Sequence, residues 1–141
     1  MPNLNSVELK PFVPAQDYER SKRFYQDIGF TLAADVDGVA YFQHQNVSFL
    51  LQRFYVRELA ENLMLHLLVE DVDAWWARLH DAAIVETYGV RLSAVQQQPW
   101  RMRDFTLVDP SGVLWRIAQN TAQAGPPRPS RPALIRDEGE P

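Results

Sequence analysis

Two stretches of this chain repeat one order of elements, and that repeat limits the folds open to it more than any other feature. In the first stretch, residues 7–13 read as a strand. Asp17 then stands where a helix N-cap belongs, its carboxylate able to accept from free backbone N–H groups. Tyr18, Ser21, Phe24, Tyr25 and Ile28 follow at helical spacing and give one packing face. Gly29 suits the left-handed turn that ends a helix. Strand candidates come next at 30–34, 39–44 and 47–54, the last two joined as a hairpin through His44, Gln45 and Asn46.

The second stretch runs in the same order. Residues 63–69 form an apolar strand, and Asp71 is the next N-cap. Val72, Trp75, Trp76 and Leu79 fall at i, i+3, i+4 and i+7, an amphipathic helix facing a core. Ile84 stands as far from Asp71 as Phe30 does from Asp17, so it is expected to take the place of Phe30. After a longer loop, 88–103, residues 104–108 and 113–119 make a hairpin around Asp109-Pro110-Ser111-Gly112, with Pro and Gly placed for a type I turn. The expected fold class is α+β: two βαβββ modules, about 5–55 and 62–120, whose mixed sheets curve into a shared cup within one domain of residues 1–120. Such a cup is a natural ligand site.

Composition excludes several functions. With no cysteine the chain has no disulfide, thiolate metal site or cysteine nucleophile. A net charge of −4 with no basic patch argues against nucleic acid. No apolar run approaches the roughly 20 residues that span a bilayer, and residues 1–10 lack the pattern of a secretory signal, so no membrane contact and a cytoplasmic location are expected. Serines such as Ser21, Ser48 and Ser93 have no evident His and Asp partners for nucleophilic catalysis. Five of the ten prolines lie between Pro126 and Pro141, so residues 121–141 are expected to be a Pro-rich flexible tail.

Three segments carry a resemblance. VPAQDYERSKRFYQDIGF (13–30), residues 65–84, and FTLVDPSGVLWRIAQN (105–120) are similar, in order and spacing, to the vicinal oxygen chelate superfamily, which includes glyoxalase I, extradiol dioxygenases, and fosfomycin and bleomycin resistance proteins. The resemblance implies paired βαβββ modules. In metal-dependent members it also implies a His or Glu on each of four strands. Those positions here are Arg116 on the closing strand, Leu50 on its first-module equivalent, Met64 on the 63–69 strand, and Glu8 on the first strand, where Leu9 or Lys10 is the alternative. Leucine offers no donor, arginine is a permanent cation, and methionine has only a soft thioether. No metal site and no cofactor are therefore expected. His66, two residues after Met64, either lines the cup or is a hydrogen-bonded core residue; His44 and His80 do not obviously converge with it.

Loss of the metal ligands and an arginine in Leu-Trp-Arg-Ile-Ala-Gln-Asn resemble the bleomycin-resistance-like branch. That resemblance implies a homodimer that sequesters a small molecule, such as a bleomycin-like drug, in a crevice between subunits without catalysis. By strand alternation Ser48, Leu50 and Gln52 should face the cup opposite Met64, His66 and Leu68, with Leu114, Arg116 and Ala118 completing the wall and Trp115 turned towards the helices. Trp100 either stacks on a ligand ring or caps the open end of the core. Arg116 either holds a ligand carboxylate or pairs with Glu8. The candidate ligand-binding residues are thus Glu8, Ser48, Leu50, Gln52, Met64, His66, Trp100 and Arg116. Two other classes compete with the binder: a metal-dependent glyoxalase- or dioxygenase-type lyase or oxidoreductase using Glu8 and His66 in a shifted site, and a scaffold acting through protein contacts.

Overall fold

A computed structural model describes residues 1–122 of the chain. The Pro-rich tail expected from residue 121 onward lies, from Gln123, outside the described residues. The first unit comprises β1 (Phe12–Pro14), α1 (Tyr18–Asp27), β2 (Thr31–Val36), β3 (Val39–His44) and β4 (Val47–Gln52). A short helix, α2 (Arg57–Ala60), leads to the second unit: β5 (Met64–Leu68), α3 (Val72–Asp81), α4 (Ile84–Tyr88), β6 (Arg91–Leu92), β7 (Gln96–Gln98), β8 (Met102–Val108) and β9 (Leu114–Asn120). The fold is α+β with two mixed sheets. Sheet A has the order β1-β4-β3-β2 and sheet B the order β5-β9-β8-β6, with β7 also on β8. In each unit the first strand runs parallel to the last, β1 with β4 and β5 with β9.

The caps form where the spacing places them. Asp17 accepts from the Arg20 N–H at 3.1 Å, and Asp71 from the Ala74 N–H at 3.0 Å. Replacing either aspartate by alanine should lower stability by about 1 kcal/mol, read as a lower urea midpoint at unchanged slope, and serine should restore most of it. Gly29 closes α1 with φ +115°, and Gly112 ends the closing turn with φ +96°, both in the region that favours glycine.

Three expectations are corrected. The first strand is limited to Phe12–Pro14 rather than 7–13. The Pro11 carbonyl still accepts from Leu50 N, but Pro11 has no N–H to donate, and the ladder stops there. Ile84 is buried as Phe30 is, yet it opens α4 instead of preceding a long strand, because Ala83 takes a left-handed conformation (φ +55°) and redirects the chain. The strand counterpart in the second unit is reduced to β6, two residues long, and the 88–103 loop holds both β6 and β7. Trp75 and Trp76 are partly buried at the margin of the core, and the Trp76 indole N–H donates to the Ser93 carbonyl at 2.9 Å.

One aromatic core joins the two units. Tyr25 of α1 packs against Phe49 of β4 (centroids 4.8 Å apart) and Trp115 of β9 (5.7 Å), and Phe49 meets Trp115 at 5.4 Å. The Trp115 indole donates to the Tyr25 hydroxyl at 2.9 Å, and that hydroxyl donates to the buried Asp109 carboxylate. Asp109 also accepts from Ser111 N (2.8 Å) and Val113 N (2.9 Å), so the closing turn is tied to α1 through one chain of hydrogen bonds.

Candidate functional site

Strand alternation fixes which side chains each sheet presents away from this core. Along β4, Phe49 and Leu51 are buried, while Ser48, Leu50 and Gln52 lie partly exposed on the opposite face. Along β5, Leu67 is buried; Met64 and Leu68, on the opposite face, are 55% and 46% exposed, with exposed His66 between them. On β9 Trp115 and Ile117 enter the core, and Leu114 and Arg116 face outward with the β5 row.

The expected cup within one chain is corrected by this geometry. The inner faces of sheets A and B meet directly at Phe49 and Trp115. The Ser48–Leu50–Gln52 row and the Met64–His66–Leu68 row therefore lie on the outward faces of the two sheets and do not oppose each other within the chain. Glu8 and His66 are separated in the same way, Glu8 over sheet A and His66 on sheet B.

The outer face of sheet B has a polar centre. Arg116 sits in register between His66 of β5 and Thr106 of β8. Its Nη1 donates to Asp104 Oδ2 at 3.0 Å, and Asp104, 2% exposed, also accepts from Gln98 Nε2 at 2.9 Å. The expected Glu8–Arg116 pair is thus replaced by an Asp104–Arg116 pair, because β8 is hydrogen-bonded directly to β9 while Glu8, outside either sheet, is bonded to Tyr41 of sheet A. Burial, and then the neighbouring Arg116 charge, pull the His66 pKa below its ordinary value, with Asp104 opposing them. The ring is held towards its neutral form, in which one nitrogen donates and the other accepts.

On sheet A, Glu8 accepts from the Tyr41 hydroxyl at 2.7 Å and from the Ser48 hydroxyl, and lies 3.5 Å from Lys10. The Ser48 bond, then the Tyr41 bond, lower its pKa. Lys10 stands 4.8 Å over the Tyr41 ring. Trp100 occupies the turn between β7 and β8, next to Arg101 at φ +65°, and is 48% exposed. That exposure rules out the reading in which it caps the core.

Sequence reasoning missed Tyr41, Gln98 and Asp104. Two of them were countable. The hairpin at residues 45–46 pairs Tyr41 with Leu50, and the turn at 109–112 pairs Thr106 with Arg116 and puts Asp104 two residues further along the same face. Gln98 had no such signal, because the strand β7 that carries it was not foreseen.

The donor set fits no metal. Leu50 and Met64 offer no oxygen or nitrogen donor, Arg116 is a permanent cation, and among the described residues no three of His, Asp and Glu converge. Also among the described residues, no helix is long and apolar enough to cross a membrane.

Residues 4–117 match the model of the Glyoxalase/Bleomycin resistance protein/Dioxygenase superfamily. A bleomycin resistance protein of Klebsiella pneumoniae is 27% identical over 124 residues, covering 84% of this chain and 96% of that protein. A crystal structure of a bleomycin-binding protein complexed with bleomycin superposes with a TM-score of 0.71 at 24% identity, covering 82% of this chain and 99% of that one. TnmS3, an antibiotic binding protein from Streptomyces sp. CB03234, superposes with a TM-score of 0.67 at 26% identity, covering 84% and 100%.

Proposed function

The chain belongs to the Glyoxalase/Bleomycin resistance protein/Dioxygenase superfamily, and from that premise we propose that it is a metal-independent, non-catalytic binding protein that sequesters an aromatic or hydrophobic small molecule in a crevice between two copies of itself. The observation that carries this reading is the outer face of sheet B. Met64 and Leu68 stand exposed there beside a satisfied polar centre, with no metal-ligand set among the described residues. A mostly apolar wall with a few fixed polar groups is what small-molecule sites present. The outward rows of the two sheets become opposing walls only when a second chain supplies one of them. Exposed Phe12 and Met64, on the edge strands β1 and β5, support that pairing. The antibiotic-binding relatives make a bleomycin-like drug the first ligand to try. A cytoplasmic location accords with this role.

The test is a bleomycin titration followed by tryptophan fluorescence, with light scattering to count chains. Saturable binding at one crevice per pair of chains is the expected result; a strictly monomeric protein with no saturable response would overturn the proposal. Trp100→Ala should weaken binding by about tenfold, the size of a lost aromatic stack. Its urea midpoint should barely move, because an exposed turn residue adds little to stability.

A further inference from the structure

Strand register lines up three hydrogen-bonding side chains across the outer face of sheet B. Arg116 of β9 stands opposite His66 of β5 on one side and Thr106 of β8 on the other. Neighbouring strands lie about 4.8 Å apart, so the row spans roughly 10 Å. Apolar side chains flank it. Met64 and Leu114 come two residues before it on β5 and β9, and Leu68 and Ala118 two residues after. By the rise of a strand, Met64 and Leu68 stand about 13 Å apart with His66 midway. Such a trough admits a flat ring on edge, its two faces against the apolar side chains and its rim on the polar row.

The row still has hydrogen bonds to make. Arg116 is 27% exposed by side chain and uses Nη1 on Asp104, which leaves N–H groups of the fork for a ligand. The His66 ring and the Thr106 hydroxyl bond to no neighbouring side chain among the described residues. A neutral imidazole and a hydroxyl each donate or accept, whereas a guanidinium only donates. The centre of the row therefore calls for an acceptor, and its two ends take either kind of group. Charge points the same way. Asp104 is buried and held by Arg116 and Gln98, so it offers no free counter-charge to a cation. Exposed Arg91, in register with Val108, adds a second cation to this face.

We propose that the His66–Arg116–Thr106 row is a specificity-determining subsite for flat, oxygen-bearing rings, with a ring carbonyl or phenol oxygen on Arg116 and further oxygens on His66 and Thr106. The inference rests on the ligand-binding reading above and adds the chemical class of the ligand to it. A hydrocarbon of the same shape would fill the trough but leave the three polar groups without partners in a site closed to water, which costs affinity.

The experiment uses the full chain and two fluorescent two-ring probes, umbelliferone, which carries a lactone carbonyl and a phenol, and naphthalene, which carries no oxygen. The wild type should bind umbelliferone more tightly. His66→Leu and Thr106→Val remove hydrogen-bonding groups at little change in size. Each should weaken umbelliferone about tenfold, the scale of one hydrogen bond, and leave naphthalene unchanged or tighter. His66→Gln still donates and accepts, so it should keep most of the umbelliferone affinity. Arg116→Lys keeps a cation beside Asp104 but loses the planar fork, and should weaken umbelliferone as well. Should Arg116→Lys fail to fold by circular dichroism, the two variants at the partly exposed ends of the row carry the test. An unchanged preference between the probes in folded His66→Leu and Thr106→Val, with at least one probe bound, would overturn the role of the row and leave the ligand-binding reading standing. Saturable binding of neither probe by the wild type would also overturn the row, and the bleomycin titration would then decide the ligand-binding reading separately.

Discussion

Asp109→Ala should destabilise the chain by about 3–5 kcal/mol, seen as a collapse of the urea midpoint. The carboxylate is 3% exposed and accepts from Ser111 N, Val113 N and the Tyr25 hydroxyl. Alanine leaves all three donors buried without an acceptor, at about 1–3 kcal/mol each before relaxation. Asp109→Asn should cost less. Its amide oxygen can still accept from the turn, but its N–H group then faces a Tyr25 hydroxyl that already accepts from Trp115. The pH dependence follows from the same burial. Desolvation raises the Asp109 pKa, with the Tyr25 and turn bonds pulling the other way. A carboxyl that holds its proton more tightly when folded contributes most below the unfolded carboxylate pKa of about 4, and loses that contribution as pH rises through the folded value. The stability gap between wild type and Asp109→Asn should therefore be widest in acid and narrow towards neutral pH. A gap that widened with rising pH would show that the folded carboxyl is the stronger acid.

Much of the fold was legible because its signals are local. Asp17 and Asp71 cap helices by bonding three residues ahead, and the 109–112 turn is held by bonds within four residues. Hairpin registers could be counted from the turns alone. What was not legible is set by distant contacts or by a single backbone torsion. Nothing near Ala83 announces its left-handed conformation, which turns an expected strand into α4. The early end of β1 needed only the missing N–H of Pro11, a signal present but not weighed.

The candidate site was half legible for a related reason. Alternation correctly separates Arg116 from Trp115 and Leu50 from Phe49, since it depends on one strand at a time. It does not say which faces of two sheets meet. The repeat suggested a cup inside the chain, whereas the aromatic side chains of both inner faces pack together around Tyr25. Phe49 and Trp115 are large and apolar, whereas the outer rows are interrupted by Ser48, Gln52, His66 and Arg116, so burying the aromatic faces against each other removes more apolar surface from water. The polar-studded faces are thereby left outward, available to a ligand or a second chain.

Trp115→Ala probes that packing most directly, with an expected loss of about 3–5 kcal/mol, the range for emptying a buried aromatic site. The ring is 5% exposed and touches Tyr25, Phe30 and Phe49, three residues of the other unit. Its indole also supplies the N–H accepted by Tyr25. If the two units form one cooperative core, the variant should unfold in a single transition, with far-ultraviolet dichroism and tyrosine emission moving together to lower urea. If each unit were stable alone, the loss would appear as a second transition confined to the unit that carries Trp115. Trp115→Phe should recover most of the apolar contribution and leave only the Tyr25 bond missing, a deficit of about 1 kcal/mol. Ligand affinity adds a second readout, because Arg116 follows Trp115 on β9. A loosened β9 should weaken probe binding in Trp115→Ala and spare it in Trp115→Phe. Equal binding by both variants would mean that the outer face keeps its shape without the ring behind it.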